Sequence, residues 1–283
     1  MSNLKALAYD LRKDTVDIIM AGGGGHIGGD MSVMEILVEL FYEQMNVGPD
    51  RTEDPDRDLF VMSKGHSMEA YYAVLCGRGF LDLEDVTARF SKFGSPYIGH
   101  PHNTLPGIEM NSGSLGHGLP VSVGMALASK MDGRSNRVYV VTGDGELAEG
   151  SNWEGFMSGA MFHLDNLCCI IDRNRLQISG STEDVMALDD LKKKVEAFNW
   201  HVICVSDGND IDQLRAAFEE AKATKGRPTC IIANTIKGKG SPVMENKASW
   251  HHHLPNAEEV TQIYRDLAAH KEVLVNQEAA VSV

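Results

Sequence analysis

Hydrophobic residues along the chain follow two alternating spacings, and this alternation predicts an α/β fold. Short, continuous runs of apolar and β-branched residues have the composition of strands that are buried on both faces. These runs lie at 59–62, 138–142, 167–171, 201–205 and 229–235. Because helical stretches separate the successive runs, we expect one domain with a parallel sheet and helices on both of its faces.

Helices are predicted from apolar residues spaced three and four apart, and from capping pairs at their starts. The first helix, over 3–20, places five apolar residues on one face: Leu4, Leu7, Leu11, Val16 and Ile19. Capping pairs predict four more helix starts: Ser32 with Glu35 (running to about Met45), Ser151 with Glu154, Asp210 with Gln213, and Asn256 with Glu259. Further helices are predicted over 68–77, 82–93 and 120–130. From about Val273 we expect a loose tail, which gives a domain over residues 1–272 and a tail over 273–283.

Two irregular segments interrupt this pattern. Residues 21–30 are rich in glycine, and residues 94–118 contain few predicted elements. Such glycine density indicates either a hinge or a loop that passes close to a ligand. A long irregular segment within a compact domain usually has a function. Histidines occur in both segments, and His66 follows the strand over 59–62, where α/β sheets place ligand-binding groups.

Composition and charge narrow the functional classes. The chain has 26 Lys and Arg against 40 Asp and Glu, a formal net charge of −14, which argues against non-specific binding to nucleic acid or anionic membranes. The N-terminus is unlike a signal peptide, and no segment has the roughly 20 apolar residues that cross a membrane. The five cysteines lack metal-binding spacing and are expected to be reduced. We therefore expect a cytoplasmic protein.

The segment Gly143-Asp144-Gly145 stands where a predicted strand ends and a helix is about to begin. Glycines allow close approach of the backbone, a carboxylate binds a hard cation, and a helix N-terminus favours an anion. The segment could therefore hold a metal ion and a phosphate together. Taken alone, it equally fits an ordinary turn with an aspartate.

The downstream sequence favours the first interpretation. After a further apolar strand comes Asn174, and the two-part pattern resembles the thiamine diphosphate signature, Gly-Asp-Gly followed some thirty residues later by Asn. In that family the Asp, the Asn and a backbone carbonyl two residues later hold Mg²⁺ on the cofactor's diphosphate. The resemblance implies that Asp144, Asn174 and the Leu176 carbonyl bind Mg²⁺, or Ca²⁺ or Mn²⁺ in its place.

Over most of its length the chain resembles the N-terminal, diphosphate-binding half of transketolase. Singly the matching segments are weak, but seven of them in the family's order are specific. They are Gly25-His26-Ile27-Gly28-Gly29, Ser63-Lys64-Gly65-His66-Ser67, Gly99-His100-Pro101, Gly113-Ser114-Leu115-Gly116-His117-Gly118, Gly143-Asp144-Gly145 with Asn174, Lys237-Gly238-Lys239-Gly240, and Trp250-His251 with Pro255.

The resemblance implies a role for each matched residue. His26 and His251 would contact substrate oxygens and transfer protons, a task that suits histidine near neutral pH. His66 and His100 would contact donor hydroxyls and the diphosphate side of the thiazolium. The implied cofactor contacts are His66, Gly113, Leu115, Gly116, Gly145, Glu146 and Asn174. Glu149 matches a glutamate of a catalytic carboxylate network across the family's dimer interface; the alternative is a charge at a helix N-terminus.

The family's chemistry implies a second chain. Transketolase transfers a two-carbon ketol unit from a ketose to an aldose on thiamine diphosphate, which supplies the electron sink. The full enzyme continues with a pyrimidine-binding domain and a third domain, which carry the activating glutamate and the basic residues that bind sugar phosphate. We therefore expect the partner to be a C-terminal transketolase subunit. We also expect self-association into an α2β2 complex, and sugar phosphate substrates of unspecified identity.

Several positions depart from the family pattern. Ile27 replaces the proline of the family's Gly-His-Pro-Gly, and His102 stands where an acidic residue is common. In the triplet 251–253 the register with Trp250 and Pro255 favours His251 as the site residue, and a zinc site built from the triplet is an alternative.

Other functions remain open at this stage. The chain could be the α subunit of a 2-oxoacid dehydrogenase, although the histidine set suits polyhydroxylated sugars better. Deoxyxylulose-phosphate synthase is a further relative that fits fewer of the segments. A non-catalytic metal- or nucleotide-binding module is a third possibility. Dinucleotide binding of the Rossmann type is excluded because the glycine run follows a helix and not a strand.

Overall fold

The computed structural model describes residues 3–281, and its centre is a five-stranded parallel sheet. The strands are β1 (Leu59–Met62), β2 (Val138–Gly143), β3 (Leu167–Arg173), β6 (His201–Val205) and β7 (Thr229–Asn234). Their order across the sheet is β1-β2-β3-β7-β6, and every neighbouring pair is parallel. A small antiparallel hairpin, β4 (Leu176–Gln177) with β5 (Gly180–Ser181), follows β3. The predicted strands and the parallel sheet are confirmed.

The helices are α1 (Leu4–Gly22), α2 (Ile27–Glu39, continued by a π-helical turn over Leu40–Gln44), α3 (Met68–Gly77), α4 (Leu83–Arg89), α5 (Gly118–Met131), α6 (Gly150–Met161), α7 (Thr182–Val185), α8 (Leu191–Glu196), α9 (Ile211–Ala223) and α10 (Ala257–Val281). Short 3₁₀ turns lie at Pro49–Arg51, Gly145–Ala148 and Ala248–Trp250. No helix within residues 3–281 is both long enough and apolar enough to cross a membrane.

Two hydrophobic cores cover the two faces of the sheet, as alternation along each strand requires. On one face, residues such as Tyr139 and Ile170 pack with α1, α2, α3 and α9. On the other, Val140 and Cys169 pack with α5, α6 and α8. A third, smaller core joins α10 to α1 and α2 through Ile263. Helices on both faces were expected, and this expectation is confirmed.

Two of the four predicted capping pairs are confirmed. Asn256 Oδ1 accepts from the Glu259 amide at 3.0 Å, and Glu259 Oε2 accepts from the Asn256 amide at 2.8 Å, which is a complete capping box. Asp210 caps α9 by accepting from the Asp212 amide at 2.9 Å, and Gln213 donates to Asp210 at 3.2 Å.

The prediction that Ser32 begins a helix is wrong, because α2 begins at Ile27. Positions 28 and 29 of this helix require glycine, because neighbouring groups leave no room for a side chain there. A Cβ on Gly28 would lie 2.5 Å from the Trp250 carbonyl oxygen, and one on Gly29 would lie 2.9 Å from Ser67 Oγ. The glycine run is therefore partly a site of close packing and only partly a loop.

Three further predictions of element ends are wrong. Ser151 does not cap α6, which begins at Gly150; its hydroxyl instead donates to the Gly116 carbonyl at 2.8 Å. Residues 273–281 of the expected loose tail are helical, because α10 continues to Val281, and the expected boundary at residue 272 falls inside this helix. The last two residues of the expected tail, 282–283, lie outside the described residues. The helix predicted over 82–93 ends at Arg89.

Candidate active site

A cavity of about 300 Å³ opens where the strands of the main sheet end. Because all strands of the sheet are parallel, the loops that follow β1, β2, β3 and β7 meet at this edge. The lining contains eleven of the residues predicted for the site: His26, His66, His100, Gly113, Leu115, Asp144, Gly145, Glu146, Asn174, Leu176 and His251. Gly116 and Glu149 do not line it.

Four histidines from four separate segments meet in this cavity. The ring centroid of His26 lies 5.3 Å from that of His66, 6.2 Å from that of His100 and 5.6 Å from that of His251. His66 and His251 are 5.2 Å apart. His26 and His66 each lie directly before or close to a helix start, α2 and α3, so their backbones are fixed by those helices.

The environment keeps these histidines neutral. Burial, with nearby histidines and the Lys64 and Lys237 ammonium groups, lowers the pKa of His26 to about 4. Burial and Lys237 lower the pKa of His251 to about 3, and burial and Lys64 lower the pKa of His66 well below its usual range. A neutral imidazole both donates and accepts a hydrogen bond, so each ring can bind a hydroxyl and exchange its proton.

The three consecutive histidines 251–253 point in different directions. His251 enters the cavity, while the ring of His252 lies beside that of His26, with centroids 4.8 Å apart. His253 packs on Trp250, with centroids 4.3 Å apart, and its Nε2 lies 3.0 Å from Glu259. They therefore do not converge on one zinc ion. Over residues 3–281, no three His, Cys, Asp or Glu side chains are grouped to hold a metal by themselves.

Two buried lysines add positive charge to the cavity, and sequence reasoning did not assign them a role. Lys64 forms a buried ion pair with Asp172 and donates to the Gly29 carbonyl at 3.0 Å. Lys237 Nζ lies 3.1 Å from His251 Nδ1 and 3.4 Å from the Leu176 carbonyl oxygen. Burial and the charge of Lys64 lower the pKa of Lys237 to about 8. Both lysines lie in segments that carry the resemblance to transketolase, so the sequence contained the signal.

The three predicted metal ligands all line the cavity. Asp144 directly follows β2 and begins the turn after it, and Asn174 and Leu176 follow β3, the neighbouring strand. A carboxylate, an amide oxygen and a backbone carbonyl are the hard oxygen donors that Mg²⁺ prefers. Asn174 Oδ1 accepts a hydrogen bond from the Leu176 amide at 3.1 Å. This bond orients the Asn174 oxygen that is predicted to bind the metal. The donor set therefore fits a divalent cation.

Asp144 is held in place by groups outside the cavity. Its Oδ2 accepts from Arg173 at 3.1 Å and from the Arg175 amide at 2.5 Å. Arg173 is also bound by Glu183 at 2.6 Å. Burial and the charge of Asp172 nevertheless raise the pKa of Asp144. A further positive charge beside this carboxylate would favour its ionised form, which agrees with a cation site.

Glu146 supports the loops around the cavity. It is buried, and it accepts from the Gly116 amide at 2.8 Å, from the Gly143 amide at 3.0 Å and from the Ser63 hydroxyl. It thus ties together three loops that the sequence matched separately. Glu149, in contrast, is exposed at the N-cap of α6 and lies outside the cavity.

Gly113 shows why the loop before α5 needs glycine. Its φ is +133°, and a Cβ at this position would lie 2.7 Å from His100 Cδ2. The loop therefore packs directly against the His100 ring, and Leu115 faces the cavity beyond it.

Comparison with known proteins identifies the family. The family described as "Transketolase, thiamine diphosphate binding domain" matches residues 4–281. The chain belongs to the transketolase family. Predictions of the fold, of the family and of a thiamine diphosphate-binding domain are therefore confirmed.

Some relatives in the transketolase family have about the length of this chain, and others are about twice as long. The chain is 45% identical over 263 residues to an apulose-4-phosphate transketolase subunit of Phocaeicola vulgatus, covering 93% of each. It is 39% identical over 250 residues to the 6-deoxy-6-sulfo-D-fructose transketolase subunit SqwG of a Clostridium species, covering 88% of this chain and 90% of that protein. Human transketolase is 40% identical over 99% of this chain, which spans only 45% of the human enzyme.

Solved structures of transketolases have the same fold. The enzyme from Campylobacter jejuni superposes with a TM-score of 0.89 at 27% identity, covering 97% of this chain and 46% of that one. The enzyme from Leishmania mexicana superposes with a TM-score of 0.86 at 29% identity, covering 99% and 46%.

Proposed function

We propose that the chain is the N-terminal subunit of a two-chain transketolase. With its partner it would transfer a two-carbon ketol unit from a ketose to an aldose, using thiamine diphosphate and a divalent cation. Two relatives named as transketolase subunits match the chain over 93% and 90% of their own length, which supports a division of the enzyme between two polypeptides.

One observation carries this proposal: four neutral histidines, two lysines and a set of oxygen donors share one cavity. Asp144, Asn174 and the Leu176 carbonyl would hold Mg²⁺, or Ca²⁺ or Mn²⁺, and Lys64 and Lys237 would offset the charge of the diphosphate. When it is bound, the cofactor supplies the electron sink for breaking and making the carbon–carbon bond.

The histidines would bind and orient the sugar and move protons. His26 and His251 are assigned to substrate oxygens, and His66 and His100 to donor hydroxyls and the diphosphate side. Lys237 donates to His251 Nδ1, because an ammonium group cannot accept a hydrogen bond. In the neutral ring, the proton then lies on Nε2. His251 could therefore donate from Nε2 to a substrate oxygen.

The partner would be a C-terminal transketolase subunit with the pyrimidine-binding and third domains. Self-association into α2β2 is supported by an apolar face on α5 and α6 of this chain. Its large exposed side chains are Val121, Met131, Met157, Met161 and Phe162. Glu149 stands at the start of α6, at one end of this face, where a second copy could bring an interface carboxylate near it.

The substrates would be ketoses and aldoses that carry an anionic group. One named relative acts on a sugar phosphate and another on a sulfonated sugar. The cytoplasm is the proposed location, because the five cysteines are free and three of them are buried in strands. A 2-oxoacid substrate would leave much of the histidine cluster without hydroxyl partners.

A reconstitution experiment tests this function. The chain and the candidate pyrimidine-binding subunit from the same genome are purified separately and mixed with thiamine diphosphate and Mg²⁺. Ketol transfer between a panel of ketose and aldose phosphates is then measured. We expect activity only from the mixture. Activity from the chain alone would exclude the two-chain arrangement, and turnover of 2-oxoacids alone would exclude transketolase chemistry.

A further inference from the structure

Two carboxylic acids are buried behind the histidine cluster, and the proposed chemistry uses neither. Asp30 lies in the first turn of α2, and Glu69 lies in the first turn of α3. Their exposed fractions are 0% and 1%. Because α2 begins next to His26 and α3 begins next to His66, each acid stands one helical turn from a cavity histidine.

The two acids bind the start of each other's helix. Asp30 Oδ1 accepts from the Ala70 backbone amide, in α3, at 3.0 Å. Glu69 Oε1 lies beside the backbone of Gly25, immediately before His26 and the start of α2. Gly25 leaves the space for this contact, since a Cβ there would lie 2.7 Å from Glu69 Oε1. The contacts of the two acids thus cross between the two helix starts.

Asp30 Oδ2 and Glu69 Oε2 are buried and have no hydrogen-bond partner among the described residues, unless the two neighbouring carboxyl groups bond to each other. Two ionised carboxylates cannot bond in this way, so such a bond requires a proton on one of them. Among the described residues neither acid has a cationic nitrogen within salt-bridge distance, and Lys64 and Lys237 act on Asp30 only as nearby charges. Burial raises the pKa of Asp30 to about 7 and raises the pKa of Glu69 well above its usual range.

We propose that Asp30 and Glu69 share one proton and act as a positioning pair, which fixes the starts of α2 and α3 and thereby the spacing of His26 and His66. The importance of that spacing for ketol transfer rests on the proposed function. The pair itself does not, and it can be tested on the full chain without cofactor or partner.

The shared proton makes a signed prediction for stability against pH. The folded chain binds a proton at this pair above the pH at which free carboxyl groups release theirs, so it holds more protons than the unfolded chain. The pair's contribution to stability is therefore complete at acid pH and decreases as pH rises through about 7. In Glu69→Gln an amide N–H replaces the acid proton, so this decrease in stability with rising pH should disappear.

The first measurement is the melting temperature of the chain and of Glu69→Gln between pH 5.5 and 8.5. As the pH rises over this range, the melting temperature of Glu69→Gln should increase by about 3 °C or more relative to that of the wild type. Glu43→Gln, an exposed acid beyond α2, should follow the wild type. If the melting temperatures of Glu69→Gln and the wild type change with pH in parallel, the shared proton is refuted. If that variant does not fold, Asp30→Asn must show the same relative gain, and failure of both variants to fold would also count against it.

The second measurement is the nuclear Overhauser contact between the His26 and His66 rings. Glu69→Ala should lose this contact and Glu69→Gln should restore it; an unchanged contact in Glu69→Ala would overturn the positioning role. In a reconstituted enzyme that is active, Glu69→Ala should lower kcat roughly 10- to 100-fold, with rescue by Gln. An inactive wild-type mixture would count against the proposed function and leave the two readouts on the chain intact.

Discussion

At the residue scale, the cavity combines neutral bases with buried cations. Lys237 sits 3.1 Å from His251, and its charge contributes to the low pKa of that ring. An uncharged imidazole next to this lysine would remain available for proton transfer at neutral pH. The residues that set the state of the histidines are therefore as important as the histidines themselves.

Removing the charge of Lys237 should raise the pKa of His251 and of His26, because the ammonium group disfavours a second positive charge on both rings. We expect Lys237→Met to move the His251 transition up toward its ordinary value near pH 6.5, whereas Lys237→Arg should keep it low. Imidazole chemical shifts recorded against pH on the purified chain measure both variants. A His251 pKa that stays about 3 in Lys237→Met would contradict this electrostatic account.

Asp144 should be required for retention of the metal and cofactor. We expect Asp144→Ala to weaken Mg²⁺-dependent binding of thiamine diphosphate by on the order of 100-fold or more in the reconstituted complex. Glu183→Ala is a matched control, because it also removes an acid from Arg173 but lies away from the cavity. Calorimetry gives both affinities, and circular dichroism checks the fold. Equal affinity for Asp144→Ala and wild type would refute its assignment.

At the element scale, the sequence predicted the strands closely because apolar β-branched runs are local signals. The starts of α2 and α6 were not predictable in the same way. Ser32 and Ser151 had the right spacing for caps but bind distant groups instead, Asp172 at 2.6 Å and Gly116 at 2.8 Å. Only the folded chain supplies these partners, so tertiary contacts decided where the helices begin.

The loop before α5 offers a clean test of close packing. Gly113→Ala would place a methyl group against the His100 ring, so we expect the ring to move and ketol transfer to fall. Gly180→Ala is matched for backbone strain, with a φ of +137° against +133°, but nothing lies within 4 Å of its Cβ position. Both should lose similar stability in thermal unfolding, and only Gly113→Ala should shift the His100 ring resonances. Equal effects on those resonances would contradict the packing argument.

At the scale of the whole molecule, motif order and sheet topology together located the site. Parallel strands carried Asp144, Asn174 and the histidine segments to one edge, as the sequence implied. The buried pair of Asp30 and Glu69 escaped notice, since neither stands in a strand-end motif and their proximity arises only when α2 packs on α3. Lys64 and Lys237 were visible in motifs but had no assigned role.

The apolar face of α5 and α6 should mediate self-association. Phe162→Glu places a charge within it, and we expect the sedimentation coefficient of the reconstituted complex to fall to that of one copy of each chain. Phe93→Glu is the control, because Phe93 has the same side chain and is more exposed, but lies in the segment after α4. An intact larger assembly in Phe162→Glu would show that α2β2 forms through another surface.

We propose above that this chain contributes one half of a shared thiamine diphosphate site. Calorimetric titration of thiamine diphosphate with Mg²⁺ into the chain, the candidate partner and their equimolar mixture tests it most directly. We expect tight binding of one cofactor per pair of chains in the mixture only, and we expect this binding to be lost when Mg²⁺ is chelated. Equally tight binding by the chain alone, or none by a mixture that forms a stable complex, would contradict it.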